Sequence, residues 1–292
     1  MAEVERLLGL LTIGVLAGAV YGLMAVGLSL QIGVCRVLNI THGEFVMLGG
    51  VLTFTFSELG INPLLAPVIT GPILFGLGFL LQATLFRYAK ARSPSPGAFE
   101  GNAMLIAFGL MYVMSFGARS QFGPQSLPSQ YLTNPVSFFG INIQLNLIVG
   151  LAIAAALGIA VYLFLTRSRL GRAIRATAED PPTAELMGVN TNTVLAFVFG
   201  LGALLAAVAG TLISIRTQVS TSIGFNNTVI ALIIVTLGGL GSVPGSYVAG
   251  IIIGIVSMLV AGLWDSVLIV PVYYAMLMVL LLARPTGILG KK

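Results

Sequence analysis

A chain of 292 residues that is 57% hydrophobic and 8% charged falls far below the roughly 25% charge of soluble proteins, which excludes a water-soluble globular domain. Its net charge of +5 comes from bases confined to short connections between apolar runs, so no groove-sized patch for nucleic acid exists. One cysteine (Cys35), one histidine (His42) and no GxxxxGK[ST] loop exclude an intrachain disulfide, a cysteine metal cluster, a two-histidine metalloprotease and a resident nucleotide hydrolase. No catalytic residue, metal site or bound cofactor is expected.

Residues 1–6 carry Glu3, Glu5 and Arg6 rather than a basic n-region, which argues against a cleaved signal peptide. The first apolar run, 7–30, is long enough to cross a bilayer and bears Gly14, Gly18 and Gly22 at four-residue spacing. Such a stripe admits a close helix neighbour, inside the subunit or from a second one. The segment 31–58 is the most polar of the hydrophobic stretches. Asn39, Thr41, His42 and Glu44 fall within six residues of one another, preceded by Arg36. Ionisable groups at membrane depth face protein or water, so these residues are candidates for a translocation pathway. The alternative is that Arg36, His42 and Glu44 sit at the headgroup level and satisfy each other or a helix end.

Pro63 and Pro67 open a span over 64–86, which ends at Arg87, Lys90 and Arg92 before a Ser-Pro-Ser-Pro-Gly connection. A further span over 103–118 leads to a long connection, 119–144, whose prolines at 124, 128 and 135 and low charge fit an external loop holding a short helix. After a span at 145–165 comes the most polar stretch, 166–193, with seven of the chain's 23 charged residues. Arg167, Arg169, Arg172 and Arg175 beside a span place it in the cytoplasm. Within it, Asp180 is suited to cap a helix begun by Pro181 and Pro182 and closed by Gly188, with Ala184, Leu186, Met187 and Val189 supplying apolar contact. So short a helix is marginal alone and needs a surface to dock on, which could belong to another protein. The bland alternative is a solvated loop with a surface helix.

The span 194–215 repeats the small-residue stripe with Gly202, Ala206 and Gly210. Residues 228–262 would make about 52 Å of helix, too long for one ~30 Å crossing. The cluster Gly238, Gly239, Gly241, Ser242, Pro244 and Gly245 therefore breaks it, either as a turn between two spans or as a broken helix at depth. A last span over 267–283 ends in Arg284, Lys291 and Lys292. The sum is an all-α polytopic bundle of eight or nine crossings forming a single domain over 1–292. With nine, the C-terminus is cytoplasmic and 11 of 14 basic residues, all but Arg6, Arg119 and Arg216, lie inside.

Five stretches in this order, 21–27 (YGLMAVG), 33–49 (GVCRVLNITHGEFVMLG), 169–188 (RLGRAIRATAEDPPTAELMG), 237–245 (LGGLGSVPG) and 283–287 (ARPTG), resemble the permease subunits of bacterial ABC importers for branched-chain amino acids, the LivH and LivM type. The His42-Gly43-Glu44 motif is more like LivH. The resemblance implies a multi-pass inner-membrane permease that pairs with a second, homologous permease, two cytoplasmic ATPases and an external, periplasmic solute-binding protein, with ATP used by those partners. It also implies that 167–192 is the cytoplasmic coupling loop, with Glu179, Asp180, Pro181, Glu185 and Gly188 engaging an ATPase groove. Related systems carry branched-chain and other amino acids, urea, amides or aromatic acids. A different class stays open: a self-sufficient secondary transporter or channel using His42 and Glu44 as a proton relay.

Overall fold

The computed structural model of the chain describes residues 2–127, 131–138, 141–284 and 286–290. Pro128, Pro285, Lys291 and Lys292, on which parts of the sequence reading fall, lie outside the described residues. Helix α1 (Ala2–Leu30) runs straight into a π-helical turn, Gln31–Cys35, which ends where Arg36 takes the left-handed conformation at φ 53°. A short loop returns the chain to α2 (His42–Glu58). Helix α3 (Ala66–Leu81) continues through a second π-turn, Gln82–Phe86, into α4 (Arg87–Arg92), so the three bases there lie on a helical extension. Ser95 caps the long α5 (Pro96–Phe122), its Oγ accepting from Ala98 N at 3.2 Å.

The connection that follows α5 departs from expectation. It holds an antiparallel hairpin, β1 (Pro135–Phe138) and β2 (Ile141–Gln144), where a short helix was expected. Alternating Val136, Phe138, Ile141 and Ile143 give the two-residue period of a strand, and Ile143 is buried against α1. Then come α6 (Leu145–Arg167), α7 (Arg169–Glu179), α8 (Pro181–Leu186) and α9 (Thr191–Ser214). The glycine cluster is a turn between α10 (Gly224–Gly238) and α11 (Val243–Leu263), and α12 (Ile269–Ala283) closes the chain.

Among the described residues, seven helical segments are long and apolar enough to cross a membrane. The other two candidate crossings, α2 with 17 residues and α10 with 15, span only about 25 and 22 Å. Helix α9 is the axis of the bundle. Eighteen of its 24 residues are buried, as expected of a helix apolar on every side.

Glycines set the close approaches. A Cβ on Gly14, Gly18 or Gly22 of α1 would meet the α11 backbone at Ile255, Ile251 or Tyr247, so that stripe serves packing within the subunit. On α3, Gly78 faces Ala203 and Gly200 of α9 in the same manner. Thus α1 lies on α11 as α3 lies on α9, while α1 meets α9 and α2 meets α10 at the centre. The triplets α1–α2–α3 and α9–α10–α11 occupy equivalent places and run in opposite senses, an inverted arrangement of two halves.

Contacts between connections define two ends. At one, Asn62 Nδ2 donates to Tyr131 OH at 3.3 Å, Leu127 N to Val219 O at 2.7 Å, and Arg6 to the Gly262 carbonyl. At the other, the π-turn after α1 touches the α10–α11 turn through Gly33 and Gly241, and Asn102 Nδ2 donates to Ser93 Oγ at 3.1 Å. The second end carries the bases of α4 and α7 with Arg36 and Arg284; Arg6, Arg119 and Arg216 belong to the first.

Candidate functional site

At the arginine-rich end, α7 and α8 form an elbow whose geometry is written in local caps. Ser168 Oγ accepts from Gly171 N at 2.8 Å to start α7, whose Ile174 is buried against the bundle while Arg172 and Arg175 stay exposed. Arg175 donates to the Leu165 carbonyl at the end of α6 and Arg172 Nη1 to the Arg167 carbonyl at 3.3 Å, so two arginines satisfy carbonyls that α6 leaves open.

Asp180 caps α8 as its sequence indicated: Oδ1 accepts from Thr183 N at 3.4 Å and Oδ2 from the Thr183 hydroxyl. Gly188, at φ +82°, closes it. Its N–H donates to Glu185 O at 2.9 Å and that of Val189 to Ala184 O at 3.0 Å, the paired bonds of a Schellman stop.

The apolar residues of α8 divide between two directions. Ala184 is buried and Val189 is packed against the core, holding the helix to the bundle. Leu186 and Met187 are 87% and 80% exposed, pointing away from it. Glu179 and Pro182 are exposed; Glu185 is also exposed, but its carboxylate turns back to accept from the Thr191 hydroxyl at the start of α9. The element therefore offers a rigid, two-residue apolar knob on a base of three caps. Of the four apolar residues that the sequence offers for contact, Leu186 and Met187 face outward and only Ala184 and Val189 face the bundle.

The second candidate set, Asn39, Thr41, His42 and Glu44, is gathered at one point inside the bundle. On the scale of α1, His42 lies level with Gly27, whose Cβ would meet its ring at 3.1 Å. Gly27 is six residues before Gly33, or about 9 Å inward of that end at 1.5 Å per residue. His42 Nε2 donates to the Met24 carbonyl at 3.0 Å, and Nδ1 lies 3.3 Å from Gln31 Oε1. Asn39 Nδ2 donates to the same Gln31 oxygen at 2.9 Å, Gln31 Nε2 donates to Phe199 O at 3.0 Å, and Asn39 Oδ1 accepts from Thr41 N at 3.1 Å. Thr41 Oγ1 donates to Ala107 O of α5 at 3.0 Å. One short loop is thereby tied to α1, α5 and α9. Arg36 is exposed and stands apart from this set. Gln31, a lone amide in an apolar run, is the hub, and its isolation was the available signal.

Glu44 sits where two short helices begin. Gly43 N of α2 donates to Thr228 Oγ1 at 2.8 Å, and that hydroxyl donates to Ile40 O at 2.8 Å. The Glu44 carboxyl group lies so close over Gly224, the first residue of α10, that any Cβ there would collide with it. Glu44 is 2% exposed, and its Oε2 has no hydrogen-bond partner among the described residues. The positive ends of two helix dipoles therefore converge on one buried carboxyl.

The family of branched-chain amino acid transport system permease components matches residues 10–283. The chain belongs to this family. The permease is 29% identical over 301 residues to the high-affinity branched-chain amino acid transport permease BraD of Pseudomonas aeruginosa, covering 100% of this chain and 98% of the relative. It is 30% identical over 288 residues to LivH of Escherichia coli K12, covering 95% and 94%. It is 26% identical over 243 residues to a probable LivH of Methanocaldococcus jannaschii, covering 82% and 76%. No solved structure matches. The chain is thus a multi-pass membrane permease of the ABC importer type, and its helical bundle serves transport.

Proposed function

We propose that the permease imports a small polar solute, a branched-chain amino acid first among the candidates, as one half of an ATP-driven channel. Cytoplasmic ATPases hold the knob of α8, an external binding protein delivers the solute, and ATP is consumed on those ATPases while this chain binds no cofactor. In this reading the arginine-rich end and the C-terminus are cytoplasmic, as the positive-inside rule requires. The observation that carries the reading is α8: capped at both ends, anchored by the buried Ala184, and presenting Leu186 and Met187 outward. Asp180, Pro181 and Gly188 shape that knob, Glu185 ties it to α9, and Glu179 borders it. A push on α8 passes directly into the central helix α9, because Thr191 receives it. Asn39, Thr41, His42 and Glu44 border the pathway in this account by fixing where α2 and α10 begin.

The test is uptake of radiolabelled leucine, isoleucine, valine and other small solutes by vesicles holding the assembled importer with its binding protein. ATP-dependent uptake that falls by about tenfold in Leu186→Ser/Met187→Ser, as loss of two central contacts in an interface costs, is the expected result. Uptake by the permease without nucleotide or ATPase overturns the reading.

A further inference from the structure

The motifs LGGLGSVPG and ARPTG have no role in the account so far, and the structure brings them into one assembly. The chain after α12 folds back across the end of α10. Ile288 N donates to Leu237 O at 2.9 Å and Leu289 N to Gly238 O at 3.1 Å, filling carbonyls that the last turn of α10 would leave open. Glycines make this fit. A Cβ on Gly287 would lie 2.6 Å from Gly239 N and 2.8 Å from Thr236 O, and one on Gly239 would lie 2.5 Å from Gly290 N. Gly239, Gly241 and Gly287 all have positive φ, at 103°, 79° and 80°. On its other flank the turn is pressed on Gly33 of the π-turn after α1, and Ser242 Oγ caps α11 by accepting from Gly245 N at 3.2 Å. Between these fixed points Leu240 stands out, 63% exposed.

We propose that this strapped turn is a second contact for the ATPase, with Leu240 as its apolar anchor and the segment 286–290 as the strap that holds it in place. The inference rests on the coupling role given to α8. Continuity selects the occupant: α7, which carries α8, packs on the π-turn Gln31–Cys35, and that same turn supports Gly241. Leu240 is thus mechanically joined to the elbow that bears Leu186 and Met187, on the same end of the bundle. A flexible loop could trail in lipid headgroups. A leucine set between positive-φ glycines and clamped from both sides presents a fixed shape, which is what a protein surface reads. Two contacts per subunit would let ATPase closure move α9 and the α10–α11 pair together.

The experiment uses the complete importer in inside-out membrane vesicles, with Leu240→Cys and Met187→Cys as separate single substitutions and a membrane-impermeant maleimide as probe. Native Cys35 is buried and gives little background. With the ATPase stripped, both new cysteines should label; with it bound, both should be protected by about tenfold, as in the water-excluded centre of an interface. Protection of Met187→Cys with unchanged labelling of Leu240→Cys overturns the second contact and leaves the coupling helix standing. No protection at either position overturns both readings. A Leu240→Cys that resists labelling even without ATPase lies in the lipid interface, and the inference is then wrong. Gly287→Ala tests the strap: labelling of Leu240→Cys with ATPase bound should rise several-fold while Met187→Cys stays protected. Unaltered protection there removes the strap from the proposal, and failure of Gly287→Ala to insert leaves the labelling comparison to decide.

Discussion

Glu44 shows how a residue that reads as chemistry can also be architecture. Each helix N-terminus stabilises a nearby negative charge by about 0.3–1 kcal/mol, and up to ~2 kcal/mol when partly buried. Two of them meet at Glu44, which offsets part of the cost of burying it. Replacing it by Gln keeps the shape and removes the charge. We expect Glu44→Gln to lower the stability of the detergent-solubilised permease by about 1–2 kcal/mol, seen as a lower thermal unfolding midpoint. An unchanged or higher midpoint would show that the dipoles do not hold an anion there. His42→Ala strips the Met24 carbonyl of its side-chain donor and empties the fully buried space beside Gly27 and Gln31. At roughly 1–3 kcal/mol per unsatisfied buried group, it should cost more than Glu44→Gln, measured the same way. Equal midpoints for the two variants would contradict the bracing role of the imidazole.

At the scale of elements, legibility followed the range of the interaction. The start and stop of α8 were readable because Asp180, Pro181 and Gly188 act on backbone groups within four residues of themselves. The break at Gly239 was readable from length alone, since no bilayer holds 35 residues of one helix. The hairpin at 135–144 was missed because its strands are four residues each, too short for their alternation to outweigh the prolines around them. The polar set at 39–44 was found as residues but not as a place. Its partners Ala107 and Thr228 are distant in sequence, and only the fold brings them to it. The outward turn of Leu186 and Met187 depended likewise on the burial of Ala184 on the opposite side. The caps make a separable prediction. Asp180→Ala removes an N-cap worth about 1 kcal/mol, and Gly188→Ala places a Cβ at positive φ for about 1–2 kcal/mol. Because α8 has six residues and little stability of its own, the double variant should fray it and cut co-purification of the ATPase while leaving the monomeric bundle's unfolding midpoint within about 1 °C, as expected for a local change outside the core. Full ATPase recovery would mean that the knob does not need its caps.

At the scale of the molecule, α5 departs from the glycine packing that joins α1 to α11 and α3 to α9. Close pairs in this bundle form through glycine, yet Gly97, Gly101, Gly109 and Gly117 of α5 face nothing within 4 Å. They fall on one four-residue stripe with Leu105 and Val113, which are 73% and 69% exposed. Only the opposite face, with Ala103, Ala107 and Met111, is buried. Apolar surface alone would be met by lipid, but lipid gains nothing from a glycine groove, whereas a second helix gains close backbone contact. In the importer proposed above, a second permease is the partner that such a groove would fit, and an interface there would place the pathway beside α5, which Thr41 ties to the buried polar set. Gly109→Trp fills the groove at its centre without touching the subunit's interior. The expected outcome is a normally inserted, thermally unchanged permease whose recovery in a two-permease complex falls by about tenfold on size-exclusion chromatography, the loss that blocking the centre of a helix contact entails. Normal assembly of Gly109→Trp would instead assign α5 to the lipid, and the second permease would have to dock on another face, of which α12, the most exposed of the spans, is the first to test.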